Sequence, residues 1–327
     1  MKKLWFVAAA AVMTAAVAVT ASAEKITMRL AHYAAVDHPG GIAAQQFADA
    51  VKERTNGDIT IEVYPNNELG APDEMLEQNI QGVVDMTLGT QGSLDKYSKK
   101  FATVMLPFIF DDYDHAYRVL DGPFYEWTKD ELLEQGLVFI GSWDYGFRNL
   151  TNSKREINSP DDVVGLKIRT PGSAIYQNTF TALGASPSTL NWGEVFTALQ
   201  QGTIDGQENG LSITNISGVL EVQPYVTVWS YSYENDLLMF NTDIWNSLNE
   251  ETQQVLREKA VEACNWGRDI VEAEHETLIQ EFRDKGIQVD VLTEEQIAPF
   301  KEAVAGVKAD FLAKFDADAL AAFGIEG

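Results

Sequence analysis

ITIEVYPNNELGAPDEMLEQNIQGVVDMTL, residues 59–88, packs two strands and a helix into one short run. Ile59 to Tyr64 reads as a strand, Pro65 to Gly70 as a loop, Pro72 to Gln81 as a helix stopped by Gly82, and Val83 to Leu88 as a second strand. Upstream the rhythm is the same. Ile26 to Ala31 reads as a strand, and Gly41 to Thr55 as a helix with Ile42, Phe47 and Val51 on its apolar positions, closed by Asn56-Gly57. Strands alternating with helices at this spacing predict an α/β fold with a mainly parallel sheet covered on both faces.

Downstream a second series of the same kind begins near Gly146. Phe147 to Thr151, Leu166 to Thr170 and Pro224 to Ser230 read as strands, Ser173 to Leu183 and Glu194 to Gln200 as helices. The two series echo each other. Each has a strand ending in proline (Tyr64-Pro65, Thr170-Pro171), then Leu-Gly-Ala (Leu69 to Ala71, Leu183 to Ala185), then a helix ending in Gln-Gly-x-x-Asp (Gln81 to Asp85, Gln201 to Asp205). The echo predicts two α/β lobes of similar plan rather than one large sheet. From Asn249 to Phe282 the pattern is helical, with Gly267 its one interior glycine, and such a helix is ~50 Å long at 1.5 Å per residue. It can brace both lobes. A strand from Ile287 to Leu292 and a helix opened by the capping box Thr293-x-x-Gln296 follow.

The chain has 327 residues, 49 acidic against 24 basic, a formal charge of −25 and one cysteine, Cys264. With 45% hydrophobic and 22% charged residues it is a folded globular chain, not a disordered or collagen-like one. So acidic a surface repels phosphate backbones and anionic lipid, which argues against nucleic-acid binding and peripheral membrane docking. A lone cysteine excludes an intramolecular disulfide and a cysteine-based zinc site. Lys2 and Lys3 precede a nearly unbroken apolar run from Leu4 to Val19, and Ala21-Ser22-Ala23 has the small-x-small form of a cleavage site. Residues 1–23 therefore read as a secretory signal peptide, the apolar run falling short of the ~20 residues of a membrane span. Cleavage after Ala23 would start the mature chain at Glu24, leave no cysteine there for a lipid anchor, and move the charge from −25 to −27. An exported fold without disulfides suits a bacterial periplasm.

Few catalytic signatures are present. The sequence has no Gly-Lys dipeptide for a phosphate loop, and neither GxGxxG nor GxSxG. His275-Glu276 begins like a zinc-protease motif, but Ile279 stands where the second histidine belongs. Ser93-x-x-Lys96 matches a Ser-Lys pair only as a short chance pattern, and the four histidines are scattered. Two arginines are better candidates. Arg169 ends the apolar strand Gly165-Leu166-Lys167-Ile168-Arg169, at the carboxyl edge where open α/β sheets place ligand groups, and Pro171-Gly172 forces a turn after it. Its guanidinium can hold a carboxylate through two parallel hydrogen bonds, as can that of Arg148 in Gly146 to Thr151, or either can pair with an acidic side chain of the protein. Asp205-Gly206-Gln207-Glu208-Asn209-Gly210 is a polar loop suited to an anion, or a solvated turn, and Trp192 can floor a pocket or pack in a core.

These residues carry a family resemblance. Tyr64-Pro65 with Leu69-Gly70, Leu106-Pro107-Phe108, Gly165 to Arg169, Gly184-Ala185-Ser186-Pro187, Glu194-Val195-x-x-Ala198-Leu199-Gln200 and Asp205 to Asn209, in this order, resemble the DctP-type solute-binding proteins of TRAP transporters. The resemblance implies a two-lobed periplasmic binding protein, each lobe a mainly parallel sheet flanked by helices, with a cleft between the lobes and a long helix spanning both. It implies lobe I from 24–145 plus 235–274 and lobe II from 146–234 plus 275–327. It implies Arg169 as the carboxylate partner, Arg148 assisting, Asn209 with its neighbour Glu208 and Trp192 in the cleft, and first-lobe contacts near His32, Tyr33 and Thr90. Gly210 replaces the proline that commonly ends the Gln-Glu-Asn motif. Thr90 stands where the sialic-acid branch has glutamate, and Tyr33 near where that branch has asparagine, so sialic acid is disfavoured.

The implied function is capture of a small organic acid anion for delivery to TRAP permease subunits, with no enzyme activity, cofactor, metal, nucleic acid or lipid anchor. His32, Thr90, Glu208 and Asn209 favour a sugar acid, a uronate or aldonate; Trp192, Trp229, Tyr231 and Tyr233 suit an aromatic or branched 2-oxo acid. A secreted hydrolase is the alternative from another class.

Overall fold

The structure, a computed structural model, describes residues 25–322; the expected signal peptide lies outside them. Among the described residues nine strands form one mixed sheet: β1 Ile26–Ala31, β2 Ile59–Tyr64, β3 Met86–Thr90, β4 Leu137–Asn152, β5 Lys167–Thr170, β6 Ser186–Thr189, β7 Gly206–Gly210, β8 Tyr225–Asn241 and β9 Gln288–Val291. Their order is β2-β1-β3-β8-β4-β7-β5-β6, with β9 on β8. The sequence echo has a structural counterpart. β2-β1-β3 and β6-β5-β7 are parallel triplets of the same order, each with its first strand in the middle. The aspartate that closes each echo does the same work twice, since Asp85 accepts from the backbone N–H of Arg29 in β1 (2.7 Å) and Asp205 from that of Lys167 in β5 (2.9 Å). Each triplet is the heart of one lobe.

The sheet departs from the sequence expectation where the triplets meet. β4 and β8 run antiparallel along most of their length and join the triplets into one sheet, where two separate sheets were expected. The strands read at 147–151 and 224–230 are only parts of these 16- and 17-residue strands. Both are buried almost throughout, and their interior carries Asp144, Arg148, Ser232, Glu234, Asn235 and Asp236, so neither an alternating pattern nor an apolar run marks them. β3 begins three residues later than expected, because Val83 and Val84 donate to the Gln78 carbonyl and finish the preceding helix.

The long helix, Glu250–Asp284, is capped by Asn249, whose side chain accepts from the Thr252 N–H (2.9 Å). Its first half packs Leu256, Ala260 and Cys264 with Phe47, Val138 and Trp143; its second packs Leu278, Ile279 and Phe282 with Val226, Val228 and Val289. It braces both lobes, as its length predicts. β4 passes so close that a Cβ on Gly141 would stand 2.7 Å from the Cys264 sulfur. Trp229 and Tyr231 pack against Phe180, and Tyr233 against Phe110 and Phe147, so all three are core residues, not cleft aromatics. Among the described residues no helix is long and apolar enough to cross a membrane.

Candidate functional site

A cavity of about 490 Å³ lies between the lobes, walled by the carboxyl ends of β3 and β5 and by the middle of β4 and β8. Arg169, Arg148, Asn209, Trp192, Tyr33 and Thr90 all line it. Two expected residues do not. The Glu208 carboxylate is fully buried behind the wall on Arg148 and Tyr231, and His32 is buried beneath Tyr33 in the first lobe. Glu208 precedes the wall residue Asn209 in β7, where successive side chains face opposite ways, and His32 lies just past the end of β1, beside the wall residue Tyr33.

Arg169 is 5% exposed. Its Nε and Nη2 donate to the Leu190 carbonyl (3.0 and 2.8 Å), and its guanidinium carbon lies 5.5 Å from the Trp192 ring centroid. Among the described residues no carboxylate comes within 4.0 Å of it. Burial without a counter-ion pushes its pKa down to about 10. It is thus a desolvated cation in an acidic chain, steered by a backbone carbonyl and left without an acidic partner among the described residues.

Arg148 is held quite differently. Its Nε and Nη2 donate to the Glu208 carboxylate, its Nη1 to that of Glu234, and the Tyr145 and Tyr176 rings lie 5.1 and 4.9 Å from its guanidinium carbon. The arginine therefore ties β4 to β7 and β8 and has its charge neutralised from within. Glu234 also lines the cavity, its pKa raised by desolvation against the pull of Arg148.

The other expected residues hold the wall in place. The Asn209 side chain accepts from the Tyr145 hydroxyl and donates to Gln207 Oε1 (3.2 Å). Thr90 caps a short helix through the Ser93 N–H (3.2 Å). The Tyr33 hydroxyl donates to Asp236 (2.7 Å), whose carboxyl desolvation raises to about 8. Sequence reasoning missed the first-lobe rim, Asn67, Asp73, Glu74, Ser93 and Asp95. The rule that found Arg169 applies to it as well, because these residues follow β2 and β3 at their carboxyl ends. Across the cleft mouth the Ser173 hydroxyl donates to Asp95 (3.1 Å), a direct bond between lobes.

Two lobes on a shared ribbon, closing on a cavity with one unneutralised buried arginine, define a two-lobed solute-binding protein. Residues 30–314 match the family of bacterial extracellular solute-binding proteins, family 7, known as DctP. The chain belongs to that family, the substrate-binding subunits of TRAP transporters. It is 30% identical to the C4-dicarboxylate-binding periplasmic protein DctP of Rhodobacter capsulatus, over 96% of this chain and 94% of that one. It is 31% identical to the 2,3-diketo-L-gulonate-binding periplasmic protein YiaO of Escherichia coli, over 84% and 83%. A sugar acid binding protein from Advenella mimigardefordensis, solved with galactonate, superposes with a TM-score of 0.88 at 28% identity, covering 92% of this chain and 98% of its own. Proteins of this family bind solutes and are not enzymes, so the hydrolase alternative falls away.

Proposed function

We propose that the protein captures a hydroxylated monocarboxylate, a sugar acid of the uronate or aldonate class, in the periplasm and delivers it to a TRAP permease. The observation that carries this reading is Arg169, buried on the cavity wall with no carboxylate partner among the described residues. The ligand carboxylate takes the guanidinium edge that Leu190 leaves free. Opposite stand Thr90, Ser93, Asn67, Asp73, Glu74 and Asp95, hydroxyl, amide and carboxylate groups that accept from sugar hydroxyls and oppose a second carboxylate. Lys96, the cation of that rim, is paired with Glu77 (3.2 Å). Relatives named for galactonate and 2,3-diketo-L-gulonate stand beside others named for C4-dicarboxylates, so the choice of class rests on the rim groups. The aromatic 2-oxo acid reading loses Trp229, Tyr231 and Tyr233 to the core.

The chain crosses between lobes at 145/146, 234/235 and 274/275 in this reading, and processing after Ala23 releases it. The test is Arg169→Ala in calorimetry against a sugar-acid panel. Charge-assisted hydrogen bonds contribute about 1.5–3 kcal/mol each, so affinity should fall on the order of 100-fold or more with the melting temperature retained. Unchanged affinity for the acid that the wild type binds sinks the assignment.

A further inference from the structure

Arg148 has more counter-charge than it needs. The Glu208 carboxylate takes its Nε and Nη2 in a two-pronged pair from behind the cavity wall, and the Glu208 carbonyl accepts from Nη2 as well (3.0 Å). That pair alone neutralises the guanidinium. Yet Nη1 donates to a second carboxylate, Glu234, which is 3% exposed and lines the cavity, as Glu208 does not. Burying a further carboxylate carries a desolvation cost, seen in the raised pKa of Glu234, that the neutrality of Arg148 does not require. The side chain is also aimed. Glu234 follows the core residue Tyr233 on β8, so it faces the other way, and it pairs with Gly146 at the irregularity that begins at Asp144 in β4. Two arginines and two glutamates thus line or back this wall, and their charges balance before a ligand arrives.

We infer that Glu234 sets the charge of the ligand: it fills, from within the protein, the place on Arg148 where the second carboxylate of a diacid would bind, and so confines the site to acids with one carboxylate. The inference rests on the carboxylate reading above and assigns its selectivity to one residue. A diacid that gives its first carboxylate to Arg169 brings its second toward Glu234, a like charge in a cleft where salt screens little. A monoacid with a hydroxyl in the same place donates a hydrogen bond to Glu234 instead. Without Glu234 the Nη1 edge of Arg148 turns to the cavity and the wall carries one more positive charge.

Calorimetry on matched pairs tests it, each pair an acid of the sugar-acid panel and the diacid formed by oxidising its far end: D-galactonate with galactarate, D-glucuronate with D-glucarate, D-erythronate with meso-tartrate. In any pair that binds, wild type should prefer the monoacid about tenfold or more. Glu234→Gln still accepts from Arg148 and leaves the Glu208 pair intact, and it should cut that preference to about threefold or less by tightening the diacid. Glu234→Leu, also uncharged, gives the same readout if the glutamine variant does not fold. A diacid that binds wild type as tightly as its monoacid, or a preference unchanged in the folded variants, overturns the inference and leaves the carboxylate reading standing. Binding by no acid of the panel removes both.

Discussion

Arg148 and Arg169 look alike in sequence, each on a strand of the second α/β series, yet their surroundings differ sharply. Arg148 is neutralised by Glu208 and Glu234, carboxylates 60 and 86 residues away along the chain. No local pattern announces a partner at that distance. Arg169 is set apart from Arg148 only once its lack of such partners is seen. The difference is measurable as stability. Arg148→Ala leaves two buried carboxylates without their cation and should destabilise the fold by about 3–5 kcal/mol in chemical denaturation. Arg169→Ala, which breaks no internal ion pair, should leave the denaturation midpoint near that of wild type.

Among the elements, the parallel triplets and the long helix were legible because they follow rules of local periodicity and capping, and the Gln-Gly-x-x-Asp echo marks equivalent turns that brace the central strand of each triplet. β4 and β8 were half hidden because polar residues buried in strands satisfy one another across the sheet and erase the usual pattern. Of the site, the motif residues of the second lobe were legible, whereas the first-lobe rim comes from loops of ordinary composition. The rim also holds the bond between Ser173 and Asp95, with Ser173 at the N-terminus of the helix Ala174–Ala182, where a carboxylate is favoured by the helix dipole. That bond exists only while the lobes are together. Ser173→Ala should therefore speed ligand release about tenfold in stopped-flow experiments and leave the association rate unchanged, the size expected for one hydrogen bond to a charged group. Equal release rates would separate this contact from closure.

Over the whole molecule, −25 charges argue for a surface that stays dispersed in solution, and the salt of a natural medium screens them within roughly 8–10 Å, so Arg169 acts in a field set by its own cleft. The buried groups also predict a pH profile. Desolvation raises Asp236 to about 8 and Asp144 to about 6, so the folded state holds protons that the unfolded chain has released, and stability falls as pH rises toward those values. Burial lowers His32 to about 4 and His38 to about 3, so their contribution is present above pH 6.5 and is lost as pH falls below it. Between pH 6.5 and 8 the Asp236 effect stands largely alone. Stability should drop there by on the order of 1–2 kcal/mol, and Asp236→Asn, which still accepts from Tyr33, should flatten the decline in denaturation at the two pH values.

The ribbon of β4 and β8 also decides how such a molecule can move. In sequence β4 lies between the two triplets and β8 after both, yet β8 pairs with β3 of the first triplet and β4 with β7 of the second. Thirteen residue pairs hold the two strands in step, with irregularities at Asp144/Gly146 and Arg148/Leu150 beside the cleft floor. A book opens about its spine because the binding forbids its covers to slide. Here the paired strands are that spine, and the lobes can swing apart only by flexing where the pairing is already irregular, next to the groups that hold the ligand.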